Sequence, residues 1–201
     1  MSPSDIERAG SLIEEARAII PHHGPSCLAK GHLLRAQGRF VEAIPEYETV
    51  VAFNRNWVVA LTALGHCRLL TGAVEEAIAP QEQALRVSPG SPRAGNWYWR
   101  IGMAHLLLCR IDQAIGPLQK AHSVNPRLAG PHAWLASAYA LKDDFERAIA
   151  ELALARELCS DDRYSSLARL RTRAFGGVVA AWALFDTTYF AGLRRAGMPE
   201  E

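Results

Sequence analysis

This sequence predicts an all-α fold in which helix pairs stack side by side into a solenoid. Three columns of residues predict it. Ala9, Ala43 and Ala77 recur at 34-residue intervals, and so do Ala114 and Ala148. A second column runs Ala16, Val50, Ala84, Ala121, Ala155, and a third Pro21, Arg55, Pro89, Pro126, Ser160. A fixed period of this length marks a chain of similar supersecondary units, none of which buries its apolar face alone.

The first unit is incomplete. Residues 5–21 match the second helix of a pair, in register, with no first helix before it. Such a helix leaves Ile6, Ile13 or their neighbours open along one side. The expectation is a chain cut from a longer one, or an end that meets a partner, including a second copy of itself. Four full units follow at 24–57, 58–91, 95–128 and 129–162. Pro92-Arg93-Ala94 is an insertion between the second and third, in an inter-unit loop where extra residues are tolerated.

Each unit divides into helix A and helix B. In the second, Trp57 to Leu70 forms helix A and Gly72 ends it, as a glycine just past a helix should. Val74 to Leu85 forms helix B, and Ser88-Pro89-Gly90 stops it. Gly31, Gly65, Gly102 and Ala136 sit where helix A crosses its own helix B, facing Ala43, Ala77, Ala114 and Ala148. Only small side chains let two helix axes approach to about 8 Å. Leu34, Phe40, Tyr47, Leu64, Ile101, Leu118, Leu135, Tyr139 and Phe145 are the expected core beside those crossings. Pro45, Pro80 and Pro117 fall inside B helices, where a proline removes one backbone bond and bends the helix. Pro80 and Pro117 share a column, so the expectation is a tolerated kink on the outer face.

Tyr139…Ala148…Ala155 and Leu64-Gly65…Ala77…Ala84…Pro89 resemble the tetratricopeptide repeat consensus, over about four fifths of the chain. The usual helix-A tryptophan is displaced, since Trp97 and Trp134 stand near its site and not on it. The resemblance implies a right-handed superhelix whose A helices line a concave groove that binds peptides.

Beyond residue 162 the columns vanish. Residues 163–174 read as one helix, Gly176-Gly177 as a break, and residues 178–196 as a closing helix ended by Gly197 and Pro199. Val178, Trp182, Phe185, Tyr189 and Leu193 give that helix an apolar stripe. It is expected to cap the fourth unit; docking another protein and folding back into the groove are the alternatives. Solenoid (1–162) and cap (163–201) are read as one domain. The stretches 95–102, 132–139 and 189–201 carry a narrower resemblance, to the C-terminal tetratricopeptide region of bacterial, rhizobial-type signalling proteins. Those carry an adenylate/guanylate cyclase or winged-helix DNA-binding domain ahead of the repeats. No residues of either domain are present here, so the resemblance implies a sensory or assembly role and neither activity.

Composition narrows the function. The chain has 201 residues, 49% hydrophobic and 21% charged, an ordinary soluble balance. A net charge of +1 leaves no electrostatic footprint for nucleic acid or an anionic membrane. No apolar run approaches the ~20 residues of a membrane helix. The N-terminus has no signal-peptide pattern, so a cytoplasmic protein is expected. Cys27, Cys67, Cys109 and Cys159 form no C-x-x-C pair and are expected to be free, mostly buried thiols.

Chemistry is expected to be absent. There is no Gly-rich phosphate loop and no G-x-S-x-G element. The pairs Glu75-Glu76, Asp143-Asp144 and Asp161-Asp162 suit helix starts better than acid/base work, with Asp143-Asp144 capping the second helix of unit four. His22-His23, Cys27 and His32 have metal-ligand chemistry, but Cys27 and His32 point about 140° apart on a helix, and no metal or cofactor is expected.

The groove is the expected binding site. By register, Leu28, His32 and Arg35 face it from the first unit, and Thr62, His66 and Leu69 from the second. The third supplies Trp99, Met103 and Leu106, and the fourth Ser137. The Lys/Asn carboxylate clamp of some family members is missing, its positions holding Leu28, His32, Thr62 and Asn96. Aromatic and methionine side chains suit an amphipathic helix or apolar peptide. The reading is a non-catalytic scaffold for a protein or peptide partner, with homodimerisation through the half repeat as the alternative.

Overall fold

The computed structural model describes residues 3–21, 23–174 and 179–201. Among them every regular element is helical. The order is α1 (Pro3–Ile19), α2 (Gly24–Ala36), α3 (Phe40–Phe53), α4 (Val58–Thr71), α5 (Val74–Val87), α6 (Ala94–Leu107) and α7 (Ile111–Val124). Then come α8 (Ala129–Leu141), α9 (Phe145–Leu158), α10 (Leu167–Ala174) and α11 (Val179–Phe185). A π turn, Asp186–Phe190, joins α11 to α12 (Ala191–Arg195). The chain is an α–α superhelix of four full helix pairs, α2/α3, α4/α5, α6/α7 and α8/α9, preceded by the lone α1.

The crossings explain the columns. A Cβ added at Gly65 would lie 2.8 Å from the Ala77 carbonyl, and one at Gly102 would lie 2.5 Å from Leu118 Cγ and 3.1 Å from the Ala114 carbonyl. At Gly31 it would meet the Tyr47 ring at 2.7 Å. Ala43, Ala77, Ala114 and Ala148 are all buried opposite. The A-to-B turns form a further column: Gly38, Gly72, Cys109 and Asp143 all have left-handed backbone, with φ of 75°, 90°, 58° and 63°. Asp144 then caps α9 by accepting from the Arg147 amide.

The prolines do not interrupt their helices. Pro45, Pro80 and Pro117 lie inside continuous α3, α5 and α7. Pro80 is buried and Pro117 half-buried, so Pro80 does not lie on the expected outer face. The Glu76 carbonyl, left without its amide four residues on, accepts from the Arg68 guanidinium at 3.3 Å.

The expected core is buried except for Phe145, which is 44% exposed with Arg195 over its ring at 5.6 Å. Its counterpart Phe40 is covered because α4 packs on α3; among the described residues no helix packs on α9 in the same register. Cys27 and Cys67 are buried, Cys109 is exposed and Cys159 half-buried; all four are free. At the first helix, α1 packs mainly on α2 and reaches α3 through the Arg17–Glu46 ion pair at 2.6 Å, and Leu12, Ile19 and Ile20 are 57%, 80% and 54% exposed.

The C-terminal segment departs from a simple end cap. Helix α10 starts only at Leu167, after a turn in which Arg163 pairs with Asp161 at 2.7 Å. The expected break at Gly176-Gly177 and the first residue of the apolar stripe, Val178, lie outside the described residues. The closing helix packs α12 on α8, its π turn on α8 and α6, and α11 against α4, so it lies across the inner A helices. Tyr189 stacks on Trp134 at 3.9 Å, Phe185 meets Trp134 edge-on at 5.8 Å, and Ser137 donates to the Tyr189 carbonyl at 3.0 Å. After Gly197 (φ 89°) the Pro199 and Glu200 carbonyls accept the Leu167 and Ala168 amides at 2.9 Å, satisfying the first turn of α10.

Candidate functional site

The inner helices α2, α4, α6 and α8 contain no aspartate or glutamate. Every acidic residue of the helices from α1 to α9 sits on α1, α3, α5, α7 or α9. The inner helices carry Lys30, Arg35, Arg68 and Arg100, with His32, His66, His105 and His132. The near-zero net charge therefore conceals a segregation, positive inside and negative outside.

Some of these cations are neutralised. Lys30 pairs with Glu14 on α1, and Arg68 with Glu48 at 2.8 Å. His132 sits in a closed chain: its Nδ1 lies 2.6 Å from Glu151 Oε2 and its Nε2 2.9 Å from His122 Nδ1. A neutral His132 satisfies both bonds by donating to Glu151 and accepting from His122. Arg35 and Arg100 have no carboxylate partner among the described residues.

Arg35, His66 and Arg100 converge on a cavity of about 490 Å³. Trp99, Met103, Phe40 and Leu70 form the solenoid side of its lining, and Tyr164, Leu170 and Tyr189 come from the C-terminal segment. Arg35 and Arg100 also line a second, more polar cavity of about 360 Å³ with His32, Thr62, Arg93 and Asn96. Neither lining includes a carboxylate. Burial, and then the charges of Arg100 and Arg35, pull the His66 pKa down to about 3. Burial and the Arg35 charge pull Arg100 down to about 10, so it stays charged at neutral pH. Burial and Arg35 lower His32 as well. Arg35 Nε, His66 Nδ1 and Trp99 Nε1 are shielded from solvent without a hydrogen-bond partner.

The residues expected to face the groove fall into four groups. Arg35, His66, Trp99 and Met103 share the larger cavity, and His32, Arg35 and Thr62 the smaller. Leu28 is half-buried beside the core around Tyr47, whose hydroxyl lies 2.8 Å from His32 Nδ1. Leu69, Leu106 and Ser137 have no exposed surface. They are interior because neighbouring helices, and for Ser137 the closing helix, cover them. Arg100, Tyr164, Leu170 and Tyr189 were not among the expected groove residues. The signal available for Arg100 was the lack of any acidic residue on four successive A helices.

Among the described residues, no three His, Cys, Asp or Glu side chains converge as metal ligands, and no helix is long and apolar enough to cross a membrane.

No family model matches the chain. Over 101 residues, half of this chain, it is 30% identical to the cell division cycle protein 27 homolog of Caenorhabditis elegans. The chain spans only 12% of that relative's length. Among solved structures it superposes with MamA (residues 41 to the end) from Desulfovibrio magneticus RS-1 at a TM-score of 0.69 and 22% identity, covering 76% of this chain and 85% of that one. Pseudomonas aeruginosa pilF gives 0.69 at 15% identity, covering 96% and 81%. PilW, described as a type IV pilus biogenesis factor, gives 0.70 at 13%, covering 96% and 82%. The fold is that of the tetratricopeptide-repeat solenoids. These relatives do not show the likeness to cyclase-linked or winged-helix signalling proteins.

Proposed function

We propose that this chain is a non-catalytic interaction scaffold that holds a partner peptide or helix along the open part of its concave face. The observation behind this reading is the inner surface over α2, α4 and α6: it carries no carboxylate and leaves Arg35 and Arg100 unpaired beside Trp99. Leu28, His32, Arg35, Thr62, His66 and Trp99 are the groove positions still partly open to a partner. A segment with apolar anchors and an acidic residue matches them in shape and charge. The solenoid and its C-terminal segment act in this reading as one unit. Tetratricopeptide proteins as a class serve as such scaffolds, which supports the reading at the level of fold.

A photo-crosslinking residue placed at Thr62 on the inner face, and in a second variant at exposed Gln113 on α7, tests this. The expected result is partner adducts from Thr62 alone, lost when Arg35→Glu is added. Equal adducts from both positions would remove the groove from the reading. Once the partner is in hand, Trp99→Ala is expected to weaken its binding by more than ~1 kcal/mol.

We read the chain further as the repeat region of a bacterial signalling protein, on the residues of 95–102, 132–139 and 189–201. The reading frame upstream of Met1 decides it: a cyclase or winged-helix domain there is the expected outcome. The bare apolar edge of α1, with Ile19 80% exposed, favours homodimerisation as a second reading. Light scattering across a concentration series that returns a strict monomer excludes it.

A further inference from the structure

Three of the five shielded, unpartnered side-chain polar atoms of the described residues, Arg35 Nε, His66 Nδ1 and Trp99 Nε1, belong to residues lining the same cavity. Unpaired buried polar atoms are rare in folded proteins, and a cluster of them in one cavity calls for a missing partner. What is missing has a sign. The lining holds Arg35 and Arg100 without a carboxylate, while its third guanidinium, Arg163, is already bonded to both oxygens of Asp161 at 2.8 and 2.7 Å. Beyond this polar edge the lining is aromatic and aliphatic: Phe40, Leu70, Trp99, Met103, Tyr164 and Leu170. The Trp99 ring is fixed against Gly130, where any added side chain would collide with it.

We propose that this cavity is a binding site for a small amphiphilic organic acid, its carboxylate between Arg35 and Arg100 and its apolar body against Trp99 and Met103. The volume of about 490 Å³ lies within the ~300–1,000 Å³ of small-ligand sites, which are mostly apolar with a few convergent polar groups. A planar carboxylate matches the guanidinium fork, and a single negative charge is the least costly anion to strip of water in an otherwise apolar chamber. A free molecule fits better than a chain end, because the solenoid forms one wall and Tyr164, Leu170 and Tyr189 the other. Burial and then the Arg35 charge lower the Arg100 pKa, and burial and then both guanidiniums lower that of His66, which accords with two guanidiniums gathered without a counter-ion. The site shares Arg35, Arg100 and Trp99 with the scaffold reading, but its ligand lies against Tyr164, Leu170 and Tyr189 of the C-terminal segment, and its binding is measured with no partner present.

The test uses the whole chain with 3-phenylpropionate, indole-3-acetate and octanoate, each beside its neutral amide, followed by Trp fluorescence and thermal shift. At least one acid is expected to bind saturably below millimolar and to raise the melting temperature, with its amide at least tenfold weaker. Arg100→Met, which removes an uncompensated charge, is expected to raise the melting temperature of the ligand-free protein, lose at least tenfold in acid affinity and abolish the acid–amide difference. Arg35→Gln is the second variant should Arg100→Met not fold. Acids binding no better than amides, undiminished binding by the variants, or binding only of peptides ending in a free phenylalanine carboxylate would each overturn the proposal. Partner adducts at Thr62 are read separately, so either idea fails without the other.

Discussion

The two ends of the solenoid obey the same column rules with opposite results. At the C-terminal end, Ala148 and Ala155 of α9 are fully buried, and α8 is buried at every position from Gly130 to Ala140. At the N-terminal end, Ala9 is only half-buried and Ala16 is exposed, although both stand in the same columns. The sequence pattern is shared; the neighbours are not. Helix α9 has α8 to cross, whereas among the described residues α1 packs mainly on α2, with one ion pair from Arg17 to Glu46 of α3. A column residue is thus a promise of burial that only an adjacent helix fulfils.

The sharpest way to break that comparison is to remove one large side chain from each end. Trp134 is buried under the stacked Tyr189 ring and the edge of Phe185. Trp134→Ala is expected to cost ~3–5 kcal/mol in denaturant unfolding and to free the closing helix in hydrogen exchange. Leu12→Ala, at a position 57% exposed, is expected to stay within ~0.5 kcal/mol. Equal losses would mean that α1 is covered after all.

Glycine substitutions probe the same contrast with a smaller effect. Gly102→Ala puts a Cβ 2.5 Å from Leu118 Cγ and 3.1 Å from the Ala114 carbonyl, so the α6/α7 crossing must open, at ~1–3 kcal/mol. Gly10→Ala in α1 meets only Leu33 Cδ2, at an ordinary 3.8 Å. It is expected to stabilise by ~0.5–1 kcal/mol, because alanine is the better helix former. Melting temperatures moving the same way for both would undo the crossing argument.

What could be read beforehand follows from the same physics. The small residues at 31, 65 and 102 were visible because close helix crossings tolerate nothing larger and recur with the period. The burial of Tyr47 and Leu118 followed directly. Phe145 misled because its burial depends on a following unit that is not there. The path of the closing helix was invisible for a different reason: Trp182, Phe185 and Tyr189 have helical spacing, which fixes a face but not the surface it meets. Arg100 was overlooked because register arguments weigh shape, and its significance is the lack of a counter-charge on four helices rather than anything local.

Between the two ends, His66 offers a titration of the interior. Its folded pKa is lowered to about 3 from an ordinary 6.5, chiefly by burial, with Arg100 of α6 and Arg35 of α2 adding to it. Below pH 6.5 the unfolded chain takes up the proton first. Stability should therefore be full above pH 6.5 and fall as pH drops toward 3. His32 and His105 are lowered too, mainly by burial, and act in the same direction. The Glu14 carboxyl at the N-terminal end, held low by Lys30, loses its stabilisation only below its ordinary 4.5. Between pH 6.5 and 5, His66→Phe is expected to flatten the slope by at most ~1.4 kcal/mol per pH unit, the limit for one group. Solvent reaches part of His66, so the observed change falls short of that limit. An unchanged slope would show that the ring is not held neutral.

The turn column closes the comparison on backbone alone. The first two units place Gly38 and Gly72 in the left-handed conformation, and the last two place Cys109 and Asp143 there. A side chain in that conformation costs ~1–2 kcal/mol, with aspartate among the residues that visit it most readily. Cys109→Gly is therefore expected to stabilise the chain by about 1 kcal/mol, the thiol being exposed and free. Asp143→Gly is expected to gain less, since it also gives up the pairing of Asp143 with Arg195 of α12. A destabilised Cys109→Gly, seen in the urea midpoint with m unchanged, would mean that this turn is held by its side chain and not by its φ.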